Sequence, residues 1–237
     1  GNGRSEELIG KFLRESASKF FVATKLGRQA HVFPDNCSAE NLRRCTENSL
    51  RRLGLESLDL TQLHCLPIEV LRRGEVFEAM RSQQTDGLIR HWGVSVESME
   101  EARLCLEQDG LASLQIIFNV FRRKPAEVLF EKAKEKQVAI IVRLPLASGL
   151  LSGKLSADST FAENDHRGFN EDGQLFNVGE TFAGLGLTKG TELTEDLQSL
   201  VPEEMDMAAM ALRWILDFET VSTIIPGASR IEQVRAN

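Results

Sequence analysis

Two titratable side chains close apolar runs early in the chain: Lys25 ends "KFFVATK" and His64 ends "SLDLTQLH". A lysine cation and an imidazole brought to one place can hold and polarise a carbonyl oxygen. The same pair also fits a plainer reading, a lysine extending to solvent and a hydrogen-bonded core histidine. Ser95, Asn119 and Arg143 end later runs in the same way. Two further stretches suit anions. "GLLSGK" at 149–154 sets glycines and a lysine directly after an apolar run, suited to a pyrophosphate approached by backbone amides. It departs from a P-loop, with one residue too few between Gly149 and Gly153 and Leu155 where Ser or Thr would bind magnesium. "IPGASRIEQVRAN" closes the chain with Gly227, Ser229 and Arg230 at an expected strand-to-helix turn, a second anion site.

Other chemistries find no support. His64 and Cys65 are neighbours on an expected strand and point to opposite faces, so they form neither a metal pair nor a nucleophile and base. No G-x-S-x-G elbow accompanies them. His31, His91 and His166 read as surface or loop residues. Cys37, Cys45, Cys65 and Cys105 contain no C-x-x-C pair, which argues for reduced thiols and against a metal site.

The elements that must position these residues alternate. Apolar or β-branched runs at 19–27, 57–65, 88–95, 114–120, 138–146 and 221–227 read as buried strands. Helical patterns lie between them over Ala39–Leu53, Gly74–Gln83, Ser98–Gln108, Pro125–Lys136 and Met205–Leu216. A further helix starts the chain, with Ser5 as its expected N-cap ahead of Glu6 and Glu7. The spacing of the first four runs is that of β/α units, which favours a parallel sheet. G-x-G-x-x-G after a strand is absent, so a (β/α)8 barrel is preferred over a dinucleotide-binding sheet. In such a barrel chemistry sits at the C-terminal strand ends, where the polar residues above fall. The Gly-, Asn- and Asp-rich segment 156–190 carries Phe161, Phe169, Phe176 and Phe182, which favours a lid over a disordered loop.

Composition bounds the partners. A chain of 237 residues with 42% apolar residues can bury a sizeable core. A net charge of -7 without a basic block argues against a nucleic-acid surface. No apolar run is long enough for a membrane span and no signal peptide precedes the first helix, so a cytoplasmic protein is expected.

"GNGRSEELIG", "ATKLG", "SLRRLGLESLDLTQLH", "IRHWGVS", "FNVFRR", "PLASGLLSGK", "ALRWIL" and "STIIPGAS", in this order, resemble the aldo-keto reductase superfamily from Gly1 to Asn237. The resemblance implies a single (β/α)8 barrel domain that reduces aldehydes and ketones with NADPH rather than NADH. It carries the catalytic lysine onto Lys25 and the catalytic histidine onto His64. In the family pattern an aspartate and a tyrosine stand before a stretch like "GNGRSEE". The first two barrel strands are therefore expected to be absent here, with the C-terminal helix beyond Asn237, and the chain holds no tyrosine. These residues alone are accordingly expected to be nearly inactive, and a complete version to be a reductase.

The resemblance places the nicotinamide carboxamide on Ser95 and Gln115, with Val96 replacing a common asparagine. It puts the nicotinamide ring against Arg143, whose flat guanidinium can stack on it. Leu146, Ser148, Gly149, Leu151, Gly153 and Lys154 match the phosphate loop. Gly227, Ser229, Arg230, Gln233 and Asn237 match the adenosine end, with Arg230 suited to a 2′-phosphate and Ala236 replacing a frequent glutamate. The 156–190 segment resembles a cofactor-covering loop, and Arg167 on it could reach a phosphate or stay solvated. Two alternatives stay open: a cofactor-binding regulatory subunit like the potassium-channel beta subunits, and a non-catalytic barrel fragment. The carbonyl substrate and the oligomeric state are not specified.

Overall fold

The computed structural model describes residues 3–237. The chain divides into two compact units, Gly1–Leu114 with Glu135–Val138, and Gln115–Lys134 with Ala139–Asn237. Six strands, β1 (Ala23–Leu26), β2 (Leu58–His64), β3 (Ile89–Ser95), β4 (Leu111–Ile117), β5 (Ala139–Arg143) and β6 (Val221–Ile224), follow one another in a sheet in chain order. β1 pairs with β2, β2 with β3 and β5 with β6, in each case parallel.

In the first unit, β2 and β3 each start on a buried residue, Leu58 and Ile89, are more accessible over the next two, and are buried over Thr61–Leu63 and Trp92–Ser95. Helix Ala39–Leu53 lays Leu42, Cys45, Thr46, Ser49 and Leu53 along one buried stripe. Ser38 caps it by accepting from the Asn41 amide, and Gly54 ends it at φ 70°. Helix Met99–Leu106 starts on a capping box, Ser98 with Glu101.

In the second unit, Phe118 packs among Phe130, Trp214 and Phe218, with ring centroids 4.9, 5.2 and 5.0 Å away. A second cluster gathers Ala147, Leu150 and Leu151 with Phe182, Met207 and Ala211. Between β5 and β6 the register slips, Ile140 facing Val221 and Ile141 facing Thr223, so Ser222 is an extra residue on β6.

Several boundaries differ from the sequence reading. The first helix runs Arg4–Glu15 and is capped by Gly3 at φ 89°, which leaves Ser5 inside its first turn. The pattern at 125–136 is two helices, Lys124–Val128 and Phe130–Glu135, interrupted where Leu129 turns to φ -127°. β4 begins at Leu111, three residues earlier than its apolar run, because Ala112 and Ser113 interrupt the pattern without breaking the strand. The segment 156–190 ends inside a helix, Leu187–Gln198, whose Thr191 and Thr194 hydroxyls donate to carbonyls of their own turn.

Candidate active site

Lys25 stands one residue before the end of β1, and His64 is the last residue of β2. Lys25 is opposite Gln62 in the parallel register, and His64 is opposite Ser95. Residues opposite one another in parallel strands share a face, and residues two apart on one strand share it too. Lys25, Gln62, His64, Gly93 and Ser95 therefore belong to one face. Gln62 is fully buried there and donates to Ser113 Oγ at 3.3 Å. Lys25 and His64 are both half-buried and line the same cavity, of about 870 Å³. Glu6, Arg28, His31 and Arg52 line it as well. Glu6 is fixed within it by the Thr24 hydroxyl and by Arg52, whose Nε donates at 2.7 Å.

The chain turns sharply after both of the strand ends that carry the largest polar groups. Cys65, directly after His64, has φ 47°, and Leu144, directly after Arg143, has φ 53°. Left-handed backbone at non-glycine residues costs about 1–3 kcal/mol each and survives only where surroundings impose it. Cys65 is held by its amide donating to the Ser95 carbonyl at 2.9 Å, and its thiol lies 3.5 Å from Ser95 Oγ. The β2 end is thus pinned to β3 just where His64 emerges. Cys65 is accordingly past the strand rather than on it, a correction to the sequence reading.

In the second unit the bracket after β5 is Asn119. It is fully buried, donates from Nδ2 to the Leu144 carbonyl at 2.9 Å, and accepts from the Phe121 and Arg122 amides through Oδ1. Its chemistry is spent on the backbone, so it supports Arg143 and offers nothing to a ligand. Arg143 is mostly buried, and its guanidinium donates to the carboxylate of Glu180. Gln115, on β4, is buried as well.

The turn after β5 continues through Ala147 at φ 47°, Ser148 at φ 58° and Gly149 at φ 102°. Three successive left-handed residues close the turn on itself: the Ala147 amide donates to the Leu144 carbonyl at 3.1 Å, and the Gly149 and Leu151 amides donate to the Leu146 carbonyl at 2.9 and 3.2 Å. Ser148 Oγ donates to the Glu180 carbonyl at 2.8 Å and accepts from the Phe182 amide at 3.3 Å, while Ala147, Leu150 and Leu151 anchor the turn in the apolar cluster. A Cβ on Gly149 would stand 3.5 Å from Leu155 and 3.7 Å from an Arg167 nitrogen. The turn therefore meets a guanidinium, and that cation is what this part of the chain offers a phosphate-bearing cofactor. Leu151 has its side chain wholly in the core and its amide donated to the Leu146 carbonyl at 3.2 Å. Gly153 and Lys154 are exposed beyond the turn.

The 156–190 segment is folded. Asn170 is fully buried and accepts from the Leu175 and Phe176 amides, and its Nδ2 donates to Thr181 Oγ1. Phe161 packs on Phe182, with ring centroids 5.7 Å apart. Arg167 lies over the Phe161 ring at 4.3 Å and donates to both carboxylate oxygens of Asp165. At the chain end, Gln233 Oε1 accepts from the Ser229 amide, the Ser229 hydroxyl and the Arg230 amide, and Asn237 Nδ2 donates to the Gly227 carbonyl. That turn is preformed by its own side chains, with Arg230 exposed.

Glu180 and the bracketing role of Asn119 escape a sequence reading, since nothing local signals a partner at the far end of a loop. Among the described residues, no group of three or more His, Cys, Asp or Glu could hold a metal, and no helix is long and apolar enough to cross a membrane.

Parallel β/α steps with polar residues at the strand ends put the candidate residues where folds of this class carry their chemistry. The aldo/keto reductase family model matches residues 1–237, and the chain belongs to that family. Aldo-keto reductase YhdN of Bacillus subtilis is 28% identical over 244 residues, spanning 100% of this chain and 70% of that protein. Among solved structures, glycerol dehydrogenase AKR11B4 from Gluconobacter oxydans is 30% identical with a TM-score of 0.75, covering 99% of this chain and 71% of that one. The holo form of aldo-keto reductase AKR11C1 from Bacillus halodurans is 25% identical with a TM-score of 0.76, covering 100% and 72%. The fold is the (β/α) barrel type of this family, and the protein is an oxidoreductase.

Proposed function

We propose that this protein interconverts an aldehyde or ketone with its alcohol, using NADPH. The observation that carries the reading is the shared cavity of Lys25 and His64, two groups that adjacent strand ends present on one face. A nicotinamide cofactor supplies the hydride equivalent when bound. His64 orients the carbonyl oxygen, and the Lys25 ammonium stabilises the negative charge that grows there. Protonation by a phenol, which the family resemblance implies, calls for a tyrosine that these 237 residues do not contain. A lysine cation beside such a phenol lowers its pKa from about 10 toward the working range.

The cofactor would be held by Ser95 and Gln115 at the carboxamide, by Arg143 at the ring and by the 146–154 turn at the phosphates. Gly227, Ser229, Arg230, Gln233 and Asn237 would take the adenosine end. Arg230 is an exposed cation on a preformed turn, which favours a 2′-phosphate and therefore NADPH over NADH. The folded 156–190 segment would cover the phosphates, with Arg167 beside Gly149 as its cation.

The reading is tested on the full-length gene product by NADPH fluorescence titration and by carbonyl-dependent NADPH oxidation over small aldehydes and ketones. Lys25→Met is expected to lower turnover at least about a hundredfold, the scale of losing one preorganised electrostatic partner, while NADPH still binds. Cofactor binding with no turnover on any carbonyl would reject the enzyme reading in favour of a cofactor-binding regulatory subunit.

A further inference from the structure

Glu180 belongs to no motif, yet it joins two parts of the proposed cofactor site. Its carboxylate takes the Arg143 guanidinium at the end of β5, and its backbone carbonyl takes the Ser148 hydroxyl in the strained turn. The same hydroxyl accepts from the Phe182 amide, and Phe182 is fully buried. Glu180 is thus fastened on both sides of its own Cα, and its carboxylate is not free to swing to solvent. The Arg143 and Glu180 side chains retain only 12% and 20% of their exposure, a setting in which water screens the pair weakly.

We propose that Glu180 is a positioning residue that holds the Arg143 guanidinium flat for the nicotinamide ring and cancels its charge there, so that the oxidised cofactor is not penalised. The inference rests on the reading that Arg143 faces that ring. The physical argument is one of charge. An oxidised nicotinamide is a cation and a reduced one is neutral. A bare guanidinium against the ring would repel the oxidised form and leave the reduced form untouched. A carboxylate locked on the guanidinium removes that difference, and it also fixes the plane in which the arginine can stack.

The test compares dissociation constants for NADP+ and NADPH, by calorimetry and fluorescence, in the wild-type protein, Glu180→Gln, Arg143→Met and the double variant. Glu180→Gln is expected to weaken NADP+ relative to NADPH at least about threefold, as removal of a carboxylate charge from beside a partly buried guanidinium requires. Arg143→Met, which leaves the carboxylate alone, should shift the ratio in the opposite direction and does not depend on Glu180→Gln folding. The double variant should return close to the wild-type ratio, as should Glu180→Asp, which keeps the charge. A common fall in both affinities in Glu180→Gln, or an unchanged ratio, would make Glu180 a loop anchor only and overturn the proposal. If Arg143→Met leaves both constants as they were, the placement of Arg143 at the ring fails and this proposal with it. If the wild-type protein binds neither form, the cofactor reading itself is wrong.

Discussion

Arg167 is held by its near neighbours in the chain. Asp165 takes its Nε and Nη2 at 3.0 and 2.6 Å, and the Phe161 ring lies beneath it. Asp165 also caps the short helix His166–Phe169 by accepting from the Arg167 amide. Its hydrogen bonds with the Arg167 side chain hold the carboxyl down to about 2, from an ordinary value of 3.8. A carboxyl whose pKa is depressed by folding adds stability that is present above the unfolded value and is lost as pH falls through the folded one. The window is therefore from about 3.8 down to about 2. The pair is partly exposed, with 30% and 23% of the side chains open to solvent, so screening keeps its contribution small. Asp165→Asn should cost up to about 1 kcal/mol in urea unfolding near neutral pH. That difference should shrink to nothing below about pH 2; a constant difference across the range would mean that the carboxylate charge is irrelevant.

Helices in the first unit are placed by close backbone approach as much as by side-chain burial. Gly10, the buried residue of helix Arg4–Glu15, faces the end of helix Ala39–Leu53, and a Cβ there would come within 2.3 Å of the Arg52 carbonyl oxygen and 2.9 Å of Leu53 Cα. These are backbone atoms that cannot step aside. Gly10→Ala, in spite of the better helix propensity of alanine, should push the two helices apart and cost about 1–3 kcal/mol. The Glu6–Arg52 ion pair, which spans the same two helices on the cavity wall, should loosen with them. Chemical unfolding measures the first effect. A stabilised Gly10→Ala protein would show that the helices are not in this contact.

The four thiols report on the integrity of both the packing and the redox reading. Cys37, Cys45, Cys65 and Cys105 are all buried, and each is a thiol rather than half of a disulfide. Burial pushes the Cys37, Cys45 and Cys105 thiols up, that of Cys105 to about 12. The reactive species is the thiolate, so a raised pKa and a closed environment suppress alkylation together. In native buffer Cys105 should stay unmodified by a maleimide for as long as the fold persists, and it should label along the urea unfolding curve. Labelling of Cys105 in native buffer at the rate of a free peptide thiol would mean that this core opens.

The chain's own pattern determined the strands, the placement of Lys25, His64, Ser95 and Arg143 at their ends, and most helices, because each of these depends on periodicity and caps within a few residues. Even its errors were local. Ser5 looked like an N-cap because glycine at φ 89° carries no side-chain signal, and Leu129 broke a helix that its own neighbourhood supports. The tertiary structure alone decided that Asn119 is spent on the Leu144 carbonyl, 25 residues away, and that Arg143 is paired with Glu180, 37 residues away. Such partners are chosen by where loops return, and no short-range rule encodes that. The same holds for the left-handed run at 147–149: "LASG" does not announce it, and it exists because Phe182, Glu180 and the apolar cluster hold it from outside.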